Sequence, residues 1–145
     1  MQNKLQKFRA GAQSLTLAQD AQKLLAHNDK TICYGLVLTE AQAIELLQTQ
    51  AEEQRYSGRL EFGAGIAGKL IDAFADSPYL TRQNYASTIS ALIETFYYYK
   101  NEIEDKLTDD ELIGYMKRFF DTSCEGSIDL LNSRELDSLA RALRL

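Results

Sequence analysis

At 145 residues the chain is the size of one domain, and 45% hydrophobic residues exclude a disordered chain. A net charge of -5 and a pI near 4.9 argue against nucleic acid and anionic membrane, which need clustered Lys and Arg. The early cluster Lys4, Lys7 and Arg9 is too small to reverse that balance. Two cysteines without CxxC spacing, no apolar leader in Met1 to Gln13 and no stretch of about 20 apolar residues together predict a cytoplasmic protein.

Residues 1–13 carry no helix start and are expected to be a flexible lead-in to a single helical domain spanning 1–145. Three capping boxes follow, in which a Thr accepts from the amide three residues on and a Glu or Gln reaches back. They are Thr16 with Gln19, Thr39 with Gln42, and Thr108 with Glu111; Asn132 with Glu135 fits with Asn as the cap. Each is followed by apolar residues at helical spacing, such as Leu112, Ile113, Met116 and Phe120 after Thr108. His27 falls near the end of the first of these helices, where a cation suits the dipole. Thr31 to Leu38 is rich in strand formers, and Arg59 to Phe62 could pair with it as a short ribbon; extended connectors under the helices are the preferred reading. Ile66, Leu70, Ile71 and Phe74 make a stripe that ends before Pro78, the only proline. Thr81 to Lys106 keeps one apolar register for about seven turns and is predicted to be the central rod. The expected fold is all-α: one compact domain of about six helices around that rod.

Three stretches resemble functional motifs. Gly63-Ala-Gly65-Ile-Ala-Gly68-Lys69 satisfies the spacing of a phosphate-binding loop, with backbone amides and Lys69 as anion donors. Position 70 is Leu where magnesium needs Ser or Thr, and no βαβ pattern precedes it, so glycine-mediated helix packing is preferred. Asp121 to Asn132 resembles an EF-hand calcium loop, with Asp121, Ser123, Glu125, Ser127, Asp129 and Asn132 at liganding positions and Gly126 at the turn. Asn132 stands where the bidentate Glu belongs, which leaves at most a weak site. Phe96-Tyr97-Tyr98-Tyr99-Lys100 puts four aromatics in succession on a helix. They point all round it, so Tyr97 or Tyr98 is a candidate to face a partner, although a central helix buried on several sides, with each hydroxyl finding a partner at its edge, is the preferred reading.

No catalytic constellation emerges. One histidine cannot found a His-based metal cluster, and Cys33 and Cys124 show no activating neighbour. Glu102, Glu104, Asp105, Asp109, Asp110 and Glu111 read as a solvated, charged turn. The expectation is a helical interaction or regulatory module without catalytic activity or cofactor, acting on a protein partner or on itself. Phosphate binding through Gly63–Lys69 and calcium binding through Asp121–Asn132 are the alternatives.

Several stretches resemble an uncharacterised family of small Firmicutes proteins, a domain of unknown function. They are Tyr34-Gly-Leu-Val-Leu-Thr39, Gly58-Arg-Leu-Glu-Phe-Gly63, Lys69-Leu-Ile-Asp-Ala-Phe-Ala-Asp-Ser-Pro-Tyr79, Phe96-Tyr-Tyr-Tyr-Lys-Asn-Glu102 and Asp109-Asp-Glu-Leu-Ile113. The resemblance spans most of the chain from residue 31 and implies a bacterial cytoplasmic origin, but no activity.

Overall fold

Helix caps and long-range side-chain bonds decide where each element of this chain begins. The computed structural model describes residues 16–59 and 65–144. All regular structure among them is helical, and six helices reach nine residues or more. None of them is long and apolar enough to cross a membrane.

Helix α1 covers residues 16–25, with Thr16 inside it rather than flanking it. A short helix α2 (Asn28–Thr31) leads into a 3-10 turn at Ile32–Tyr34, ended by Gly35 in the left-handed region. Thr31–Leu38 therefore forms no strand, and Leu60 to Phe62, most of its expected ribbon partner, lie outside the described residues. The physical reason is local. The Asn28 carboxamide donates to Leu38 O (3.0 Å) and accepts from the Leu38 amide (2.9 Å), supplying the two bonds a neighbouring strand would give. Thr31 Oγ1 donates to Leu36 O at 2.6 Å and closes the turn.

The Thr39 box forms as predicted, with bonds of 3.1 and 2.9 Å, and opens α3 (Glu40–Ser57). Helix α4 (Gly65–Phe74) is started by a residue distant in sequence: buried Gln50 of α3 accepts from the Ala67 amide at 2.8 Å. Helix α5 (Tyr85–Glu102) packs against α3 and α4. It begins four residues after the predicted start, because Thr81 and Asn84 bond reciprocally and hold Thr81–Asn84 as a turn ahead of it. At 18 residues it equals α3 in length, so the predicted seven-turn rod is shorter than expected. It ends at Glu102, and Glu104 and Asp105 then take positive φ.

The Thr108 box opens α6 (Asp109–Asp121), which also packs on α5. After it, Ser127 rather than Asn132 is the cap: its hydroxyl accepts from the Leu130 amide, and α7 (Ile128–Leu130) begins five residues earlier than predicted. A π-helical turn, Leu131–Glu135, then runs into α8 (Leu136–Arg144). Asn132 lies inside that turn, where its Oδ1 accepts from Thr95 Oγ1 of α5 (3.0 Å). One hydrophobic core joins these helices into a single compact domain. Phe74 of α4 meets Phe120 of α6 edge to face at 5.3 Å, an arrangement worth about 1 kcal/mol beyond its burial.

Candidate functional site

The three predicted motifs fare differently. In the glycine motif, Gly63 and Ala64 lie outside the described residues. Gly68 is buried within α4, and the Ala67 amide, one that a phosphate would need, is taken by Gln50. Lys69 Nζ reaches Asp110 Oδ1 at 3.0 Å and bridges α4 to α6. This geometry gives the phosphate reading no support. Two of its donors, the Ala67 amide and the Lys69 ammonium, are engaged by Gln50 and Asp110.

The calcium-like loop is likewise committed to the protein's own cations. Asp121 pairs with Lys117 (2.5 Å) and accepts from Ser77 Oγ (2.6 Å), while Ser123 O accepts from Arg134 Nη2 at 2.8 Å. Ser127 is the α7 cap and Asn132 faces Thr95. Glu125 and Asp129 are exposed. No group of three or more His, Cys, Asp or Glu among the described residues could hold a metal ion. Gly126 is nonetheless indispensable, for its φ is +79° and a Cβ there would lie 2.5 Å from Tyr79 Cβ.

The aromatic run divides cleanly. Tyr97 is 1% exposed and its hydroxyl accepts from Gln54 Nε2 at 3.2 Å, so the structure corrects its assignment to a surface. The reason is the α3–α5 contact, which buries that side of the helix. Tyr98 is 57% exposed. Tyr99 is buried, and its hydroxyl faces Asn132 O and Asp137 Oδ1, the latter at 2.6 Å. Burial, reinforced by the Asp137 carboxylate, pushes this phenol well above its ordinary pKa. It stays a proton donor and ties α5 to α8.

His27 does not cap its helix; its Nδ1 lies 2.8 Å from Asp72 Oδ1 and links the α1–α2 corner to α4. Cys33 is exposed and donates to Lys30 O. Cys124 is buried, and burial pushes its thiol up, away from the reactive thiolate. The acidic stretch is not a freely solvated turn. Lys100, only 6% exposed, donates to Leu107 O (2.6 Å) and pairs with Asp109 (2.9 Å) and Asp105 (3.7 Å). Arg59 grips Asp105 with two bonds of 2.8 and 2.9 Å, which hold that carboxyl below its usual range. Glu102 pairs with Arg144, Asp110 with Lys69, and Glu111 closes the Thr108 box. Among the six, Glu104 alone has no side-chain partner among the described residues.

One surface groove of about 610 Å3 lies between α4 and α6, and one of equal volume runs between α5 and the α7–α8 segment. Ala91, Thr95, Tyr98 and Tyr99 form one wall and Ile128, Asn132 and Ser133 the other, with Asp137 at the end. The π turn builds the second wall, and such turns frequently sit at functional sites. Tyr98 packs edge to face on buried Tyr99 at 4.9 Å, a contact that restrains its ring. Glu94 of α5 and Asp129 of α7 both line the groove, and no basic side chain among the described residues does. Neither carboxylate has an ion pair among the described residues. Glu94 instead repels Glu53, which burial and this neighbour push up in pKa. Sequence reasoning missed Glu94 and Asp137 and singled out Asp129 only as a calcium ligand; the i, i+4 spacing of Glu94 and Tyr98 was the one available signal.

A model of the family of unknown function DUF6323 matches residues 23–145. The chain belongs to that family. No curated protein and no solved structure matches it. The family match covers both walls of the groove and the whole Lys100 network, and it carries no assigned activity.

Proposed function

We propose that this DUF6323 protein is a helical interaction module of a bacterial cytoplasm, contacting a protein partner through the groove beside Tyr98. The carrying observation is Tyr98 itself: a large aromatic side chain, exposed in a 610 Å3 groove and restrained by a buried neighbour. Tyrosine is among the residue types that dominate binding energy at interfaces. Tyr56 is more exposed, at 93%, but it lines none of the described grooves. The free state of Cys33 and Cys124 suits a reducing compartment.

The test places a photo-crosslinking phenylalanine analogue at position 98 and, separately, at position 56, in cells that make the protein. A discrete adduct from position 98, absent from position 56, is the expected result. No adduct from 98, or equal adducts from both, would overturn the proposal.

A further inference from the structure

Resting on that reading, the geometry points to the chemistry of the partner: a segment of another protein that lays an arginine side chain across Tyr98, between Glu94 and Asp129. Charge complementarity carries the argument. The groove is walled by Glu94 on α5 and Asp129 on α7, with no Lys or Arg among its lining residues. The basic residues nearest in sequence are engaged elsewhere: Lys100 with Leu107 O and Asp109, and Arg134 with Glu135 Oε1 and Ser123 O, both at 2.8 Å. Two carboxylates without an ion pair among the described residues thus line the groove with an exposed aromatic ring.

Glu94 and Tyr98 are one helical turn apart and share a face of α5. Across from them, Ser133 Oγ donates to Asp129 O at 2.6 Å and fixes the turn that carries Asp129. A planar guanidinium suits this arrangement better than an ammonium. It can stack on a tyrosine ring while its edge donors reach carboxylates on either side. Half-exposed Leu130 and partly buried Ile128 add apolar surface for the remainder of such a segment. The contrast within the molecule supports the choice. Another groove, of about 500 Å3, also holds carboxylates, Glu45 and Glu52, but its lining has no aromatic residue to receive a cation.

The experiment is fluorescence anisotropy with the full chain and a short labelled peptide of arginine and leucine. Matched peptides with lysine or glutamate replacing arginine serve as comparisons. Saturable binding that weakens with salt is expected, with the lysine peptide weaker and the glutamate peptide silent. Glu94→Gln and Asp129→Asn should each weaken binding about threefold, and Tyr98→Ala about fivefold. Absence of binding at low salt, equal binding of the glutamate peptide, or indifference to all three substitutions would overturn the inference. So would tighter binding of a peptide copying residues 1–13, with its Lys4, Lys7 and Arg9, which would assign the groove to self-docking. A position-98 adduct together with any of these failures would leave the docking face standing and remove only its cationic occupant.

Discussion

At the C-terminal end of α5 the carboxylates are answered within the chain, whereas one or two turns earlier, around Tyr98, they are not. Lys100, Arg59, Lys69 and Arg144 meet Asp105, Asp109, Asp110 and Glu102, and the result locks α5, α6 and α8 at one junction. Glu94 and Asp129 line a groove with an exposed tyrosine and have no ion pair among the described residues. Charges matched inside a fold hold its parts together. Charges left unmatched beside an exposed aromatic add little to stability and stay available to a partner of opposite charge.

Substitutions on the two sides of this contrast should therefore differ sharply. The largest effect is expected for Lys100→Ala, which strips a buried ammonium from Asp109 and the Leu107 carbonyl; a loss of about 3 kcal/mol should register in urea unfolding. Gly126→Ala should cost about 2 kcal/mol in the same measurement, because the left-handed backbone and the Tyr79 ring both resist a Cβ. Thr108→Ala removes one half of the α6 capping box and should cost about 1 kcal/mol.

Acid should loosen the junction before the groove. The Arg59 bonds, helped by the positive charges of Arg59 and Lys100, hold the Asp105 carboxyl below its ordinary 3.8. Its contribution is therefore complete above that value and disappears as the pH falls through the lower folded-state value. Amide protection, corrected for the intrinsic pH dependence of exchange, should fall at the α5–α6 turn in that window while protection around residues 94–98 holds steady. The smallest effects belong to the groove. Tyr98→Ala and Glu94→Gln should each leave unfolding within about 0.5 kcal/mol of the parent, and Glu94→Gln should also relieve its repulsion of Glu53. A large loss of stability in either variant would erase the contrast.

What was legible in the sequence was local. The Thr39 and Thr108 boxes involve residues three apart, and both form as written. The stripe from Ile66 to Phe74 is buried as its spacing requires. Asn132 failed as a cap because Ser127 offers an equally good one earlier in the chain, and only the Thr95 and Tyr99 contacts decide between them. Thr31 to Leu38 has the composition of a strand yet forms none, because the Asn28 side chain does the pairing. The acidic stretch was misread because its partners are remote: Arg59 is 46 residues from Asp105. For the same reason the groove was half visible. Tyr98 could be singled out on its helix, but Asp129 joins it only through the packing of α7 on α5.

The most direct measurement is an amide chemical-shift map of the full chain titrated with the arginine–leucine peptide. Shifts confined to residues 91–99 and 128–137 are the expected result, with the Lys100 junction undisturbed. Shifts centred instead on the α3 groove at Glu45 and Glu52, or none at all, would contradict the assignment of the unmatched carboxylates around Tyr98 to a partner.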